Sequence, residues 1–138
     1  MTTSLMLKRR IPASGEMLPV VGLGTWQTFD VGASESARAP LRAVLREFVR
    51  AGGTVIDSSP MYGKSEAVTG DLAAELDVQK KIFLATKVWT SGRDAGIRQM
   101  QESYNRLRTA RMDLMQVHNL VDYSTHLSTL RRWKEEGK

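Results

Sequence analysis

The apolar positions of this chain switch between a short, strand-like period and a helical one, and the switches predict its elements. Residues 5–11 and 17–20 read as two short strands joined by a turn in which Pro12, Ser14 and Gly15 supply the turn chemistry. A glycine-rich apolar run at 20–24 predicts a further strand, and 27–36 reads as a polar loop. Pro40 is expected to open a helix at a position where its missing N–H costs nothing. Leu41, Val44, Leu45, Phe48 and Val49 then fall on one apolar stripe, and Gly52-Gly53 stops it.

The strand-then-helix unit recurs three more times. Residues 54–56 predict a strand, and Ser65 is placed to cap a helix carrying Val68, Leu72 and Leu76. Residues 82–88 predict the next strand, followed by a helix with Ile97, Met100, Tyr104 and Leu107 inward. Residues 112–117 predict a fourth strand, and a last helix carries Leu127, Leu130 and Trp133 before Gly137. Strands about 30 residues apart with a helix between them imply parallel pairing and right-handed crossovers. The fold class is therefore α/β, expected as a single domain over residues 1–138.

Two parallel architectures compete for such a pattern. A dinucleotide-binding doubly wound sheet wants a third glycine after Gly22-Leu23-Gly24 and an immediate helix, and this chain has neither. A (β/α)8 barrel needs about 250 residues. Four βα units in 138 residues are half of that, which predicts a parallel half-barrel: the first four units of a TIM-type barrel behind an N-terminal β-hairpin over 5–21.

Composition removes several function classes. With no cysteine there is no disulfide framework, thiolate nucleophile or cysteine-held zinc. No run approaches the roughly 20 apolar residues of a membrane span, and no signal-like apolar segment follows Arg9-Arg10, so a cytoplasmic protein without a membrane partner is expected. Twenty Lys and Arg outnumber fifteen Asp and Glu, giving a net charge of +5. The basic residues are scattered and carry no interleaved aromatics, so they read as solvated surface and no nucleic-acid partner is expected. Two histidines without ligand spacing give no metal site. His126, on the last helix, reads as exposed. No Gly-x-Ser-x-Gly elbow supports hydrolysis.

The informative polar residues sit at strand ends. Asp57 follows Val55-Ile56, Lys87 follows an apolar run from Ile82, and His118 follows Leu114-Met115-Gln116-Val117. In parallel α/β folds the carboxyl ends of strands carry the ligand and the reacting side chains. A lone Asp there is often a turn residue and a lone His often structural, but Lys in an apolar strand needs a partner. Tyr62 lies in the tight Pro60–Gly63 loop, close enough to fold back over the strand ends. A phenol ionises near pH 10 in water, and a neighbouring ammonium stabilises its phenolate. A carboxylate compensates the buried ammonium, and a neutral imidazole orients a substrate oxygen. Asp57, Tyr62, Lys87 and His118 are thus the candidate catalytic set, suited to protonating a developing alkoxide.

These segments together resemble the aldo-keto reductases. The matching stretches are Gly22-Leu23-Gly24-Thr25-Trp26, Val55-Ile56-Asp57-Ser58-Ser59-Pro60-Met61-Tyr62-Gly63, Ser65-Glu66, Ala85-Thr86-Lys87-Val88-Trp89 and Met112-Asp113-Leu114-Met115-Gln116-Val117-His118. The resemblance implies an NAD(P)H-dependent reductase of small aldehydes or ketones, with NADP the expected cofactor and NAD the alternative. It implies Tyr62 as general acid, tuned by Lys87 and Asp57, with His118 orienting the carbonyl. It places Gly24, Thr25, Trp26, Asp57 and Asn119 at the cofactor and Trp26, Trp89 and His118 at the substrate. The hairpin corresponds to the plug at the barrel's bottom.

The chain is half the family's length, which leaves strands five to eight and the loops that grip the cofactor's phosphates outside it. A truncated reductase is the expectation. Self-association with a second copy, or union with a chain carrying the other half, are the alternatives that close a barrel. A non-catalytic, cofactor-sensing or subunit-interacting relative is the competing function. The 138-residue chain by itself is expected to bind NADPH weakly or not at all.

Overall fold

The structure is a computed structural model that describes residues 6–138; Leu5, expected in the first strand, lies outside them. Strand β1 (Lys8–Arg10) pairs antiparallel with β2 (Met17–Pro19), with Arg9 opposite Leu18. Both arms are shorter than the pattern predicts because the turn closes early: Ile11 and Glu16 are already joined by a 2.8 Å N–H···O bond. Gly15 takes φ +76° inside that turn, a conformation open to glycine.

Four further strands, β3 (Leu23–Gly24), β4 (Val55–Asp57), β5 (Phe83–Val88) and β6 (Leu114–Val117), form one sheet in sequential order, every neighbour parallel. Each is followed by one helix: α1 (Glu35–Arg50), α2 (Ser65–Glu75), α3 (Arg93–Arg106) and α4 (Tyr123–Glu135). A doubly wound sheet reverses its strand order partway; a sequential order with one helix per crossover is the winding of a (β/α) barrel. The expected half-barrel is therefore the fold. Gly24, Asp57, Ala85 and Leu114 stand in one row across the four strands.

Packing explains which face is which. Ile56 and Leu84 join Leu41, Leu45, Val68 and Leu72 in the main core between sheet and helices. Val88 packs with Met100 and Trp133 in a second core. Each such side chain contributes about 1.5–3 kcal/mol by leaving water. Successive strand residues face opposite sides, so the residues between these face inward.

Four local readings need correction. First, α1 begins at Glu35 and not at Pro40, because Ser34 Oγ accepts from the Ala37 N–H at 3.3 Å and makes the earlier start the capped one. Pro40 sits inside the helix, where it forgoes one i→i−4 hydrogen bond. Val44, assigned to the apolar stripe, is 45% exposed; Leu41 and Leu45 carry the burial. Second, Ser65 is the first residue of α2 and does not cap it: its hydroxyl donates to the Thr25 carbonyl at 3.0 Å. Third, β3 is confined to two residues, and Val20 and Val21 are about half exposed.

The fourth concerns His126, which is fully buried and not exposed. On α4 the inward stripe is His126, Thr129, Leu130 and Trp133, while Leu127 is turned outward. His126 Nε2 lies 2.6 Å from the Thr90 carbonyl, and its ring rests on Gly96 of α3, where a Cβ would stand 2.6 Å from Nδ1. Among the described residues no helix is long and apolar enough to cross a membrane.

Candidate active site

Strand alternation sends Asp57 of β4, Lys87 of β5 and Gln116 of β6 to the inner face, while Thr86 turns outward to hydrogen-bond Glu66 of α2. Lys87 is almost fully buried. Its Nζ donates to Asp57 Oδ1 at 2.6 Å and to the Ser58 carbonyl at 2.7 Å. Gln116 Nε2 donates to Asp57 Oδ2 at 3.1 Å, so both carboxylate oxygens are engaged. A buried ammonium is tolerable only on such terms, with a counter-charge and further hydrogen bonds.

The same Nζ lies 5.1 Å from the centroid of the Tyr62 ring. Tyr62 is carried there by a tight turn in which its N–H bonds the Ser59 carbonyl at 3.0 Å. The turn is fixed from outside by Asp30, whose Oδ1 accepts from the Lys64 N–H at 2.9 Å. Gly63, at φ +58°, backs directly onto the Asp30 carboxylate and leaves no room for a Cβ.

His118 opens a short 3-10 turn after β6. Its ring meets Tyr62 edge-on at 5.8 Å and 89°, and Nδ1 lies 3.0 Å from Ser59 Oγ. Burial holds its pKa below the usual 6.5, the Lys87 charge lowers it further, and Asp57 opposes with a smaller effect. These effects favour the neutral imidazole.

Asp57, Tyr62, Lys87 and His118 are thus brought to one strand end by three consecutive strands and one loop. Around them, Gly24 is paired in register with Asp57, and no atom lies within 4 Å of where a Cβ would stand. Trp26 is 62% exposed and 6.4 Å from the Tyr62 ring. Asn119 is exposed, in the left-handed region at φ +54°. Thr25 is instead fully buried: its N–H and hydroxyl both donate to the Asp57 carbonyl, and its own carbonyl accepts from Ser65. It supports the site from behind. Trp89, 40% exposed, follows β5 with its backbone clamped by the Gln99 amide. Among the described residues it belongs to neither ring pair.

Sequence reasoning missed Gln116, Ser59 and Asp30. Gln116 was detectable, since it lies two residues before His118 in an apolar strand and so shares its face. Ser59 and Asp30 act through loop geometry that no periodicity encodes. A concavity of about 720 Å³ lies at the opposite strand ends between β2 and residues such as Thr54, Phe83 and Asp113, away from this set.

Known proteins share this sequence pattern and fold. The model of the aldo/keto reductase family matches residues 20–138. The chain is 36% identical over 118 residues to methylglyoxal reductase YeaE of Escherichia coli, covering 82% of this chain and 40% of that protein. It is 28% identical to aldehyde reductase YPR1 of Saccharomyces cerevisiae over 112 residues, covering 81% of this chain and 33% of that one. Among solved structures, the thermostable aldo-keto reductase Tm1743 superposes with a TM-score of 0.80 at 26% identity, over 96% of this chain and 51% of that one. An aldo-keto reductase of Klebsiella pneumoniae in complex with NADPH gives 0.68 at 30% identity, over 82% and 40%. The chain belongs to the aldo/keto reductase family, and it spans about half or less of the length of these relatives.

Proposed function

We propose that this chain carries the acid–base centre of a reductase that converts a small aldehyde or ketone to an alcohol with NADPH as reductant. The observation that carries the reading is the placement of Lys87 Nζ between the Asp57 carboxylate and the Tyr62 ring, at 2.6 Å from Oδ1 and 5.1 Å from the centroid. The relatives support the same chemistry: two bear the names of a methylglyoxal and an aldehyde reductase, and one solved structure contains NADPH.

The residues present fit the nicotinamide end of that cofactor. Gly24 leaves open space beside Asp57, and the exposed Trp26 and Asn119 flank the same strand ends. Gly24, Trp26, Asp57 and Asn119 would hold the nicotinamide and its ribose, with Thr25 bracing them. When bound, the nicotinamide supplies a hydride to the carbonyl carbon.

This chain's residues manage the proton and the charge. As negative charge builds on the carbonyl oxygen, the Tyr62 hydroxyl delivers its proton there. The Lys87 ammonium stabilises the charge left on the phenol oxygen, and Asp57 with Gln116 keeps that ammonium in place. Neutral His118 orients the carbonyl oxygen by a hydrogen bond. The exposed rings of Trp26 and Trp89 offer apolar walls for a small substrate. Among the described residues the sheet is open along β3 and β6, and four further strands, continuing in the same polypeptide or supplied by a second chain, would close the barrel. Loss of NADPH absorbance with methylglyoxal and a panel of small aldehydes, in protein expressed from the gene encoding this chain, tests the reading. Turnover is expected, and a protein that binds NADPH yet reduces no carbonyl would contradict it.

A further inference from the structure

We propose that Ser59 is a positioning residue that fixes the tautomer of His118, leaving the ring proton on Nε2. Ser59 is fully buried. Among the described residues its hydroxyl has two partners: it accepts from the Met61 N–H at 3.2 Å, and it lies 3.0 Å from His118 Nδ1. A serine hydroxyl carries one hydrogen to donate. With the Met61 N–H already pointing in, that hydrogen goes to Nδ1, which must then be the unprotonated, accepting nitrogen. The other tautomer would leave the serine hydrogen without an acceptor among the described residues. Such a loss corresponds to about a tenfold bias or more between the tautomers.

The charge state agrees with this assignment. His118 faces Lys87, Asp57 and Tyr62 across the site, and burial together with the Lys87 charge keeps the ring neutral, so one nitrogen must accept. His118 Nε2 has no hydrogen-bond partner among the described residues. Resting on the reductase reading, this free Nε2–H is the donor that a substrate carbonyl oxygen meets, and a reversed tautomer would present a lone pair that repels it. The same serine's carbonyl also accepts the Tyr62 N–H at 3.0 Å. One buried residue therefore sets both the imidazole's polarity and the turn bearing the phenol.

Nuclear magnetic resonance of the full chain labelled with 15N-histidine tests this directly, without cofactor or substrate. The chain has two histidines, and loss of one signal set in His118→Asn assigns them. At a pH above 7, His118 is expected to show a protonated Nε2 and a bare Nδ1. In Ser59→Ala both nitrogens should move to intermediate shifts as the tautomers mix, while His126, held on Thr90, stays unchanged and reports an intact fold. Ser59→Thr, which keeps the hydroxyl, should restore the split. A proton on Nδ1 in the native chain, or an unchanged His118 pattern in folded Ser59→Ala, would overturn the proposal. If Ser59→Ala does not fold, the native spectrum alone decides. A failed reductase assay leaves this result standing, so the two readings fail separately.

Discussion

Lys87 and Asp57 form an ion pair of unequal burial: 2.6 Å separates Nζ from Oδ1, yet the lysine side chain is 11% exposed and the aspartate 40%. The two ends therefore depend on each other to different degrees. Asp57→Asn leaves a buried ammonium without its counter-charge and should cost about 2 kcal/mol of stability. Lys87→Met removes the buried charge and leaves the half-exposed carboxylate to Gln116 and water, costing under about 1 kcal/mol. Urea unfolding of both variants checks the order; equal losses, or a larger one for Lys87→Met, would speak against the buried-ammonium account.

The same ammonium acts on His118. The lowered His118 pKa means that, between its folded value and 6.5, the unfolded chain binds more protons than the native one. Stability from this group therefore rises with pH through that window and is lost as pH falls through it. Removing the Lys87 charge should move the His118 titration upward toward 6.5, with burial still holding part of the depression. Following the ring Cε1 proton in Lys87→Met measures it, and an unchanged or lower midpoint would contradict the contribution assigned to Lys87.

Glu66 titrates the other way. It is fully buried between α2, β5 and α3, with Oε1 accepting from Thr86 at 2.6 Å, Oε2 without a hydrogen-bond partner among the described residues and Arg106 only at 3.9 Å. Burial raises its pKa above 4.5 despite the Thr86 hydrogen bond. The native state then holds a proton that the unfolded chain has lost, so stability falls as pH climbs from 4.5 through the raised value. Glu66→Gln removes that slope, so in urea unfolding from pH 4 to pH 8 its stability relative to the native chain should improve as pH climbs from 4.5 to the raised value and level off above it. A constant difference across that range would mean that Glu66 stays ionised.

Two glycines on helices test close packing. Replacing a mid-helix glycine by alanine ordinarily adds about 1 kcal/mol of helix propensity. At Gly70 of α2 the new Cβ would press on the α3 backbone, at 2.8 and 2.9 Å from Leu107 and closer still to the Arg106 carbonyl. At Gly96 of α3 it would press on the buried His126 ring. Both variants should be destabilised by about 1–3 kcal/mol net, Gly70→Ala more, because backbone cannot swing aside. A gain in melting temperature for either would show that the helices stand further apart.

These examples show where sequence reading succeeds and where it stops. The four βα units were legible because apolar runs, helical stripes and glycine stops recur at even spacing. The convergence of Asp57, Lys87 and His118 was legible because strand ends in a parallel sheet share one edge. His126 was misread because a polar residue on the inward stripe looks like surface until its partner, Gly96 on another helix, is known. Pro40 was misread because the capping oxygen of Ser34, six residues before the expected start, decides where the helix begins. Ser59 and Asp30 contribute through single hydrogen bonds between loops distant in sequence, which no local pattern encodes.

The central claim is that Tyr62 gives its proton to a carbonyl oxygen beside Lys87 and His118. Its most direct test compares Tyr62→Phe with the native protein, expressed from the gene encoding this chain, for NADPH binding and for steady-state reduction of methylglyoxal. Loss of turnover by about a hundredfold or more, with the cofactor affinity nearly kept, is predicted. Turnover equal to that of the native protein would remove the phenol from the reaction and the account with it.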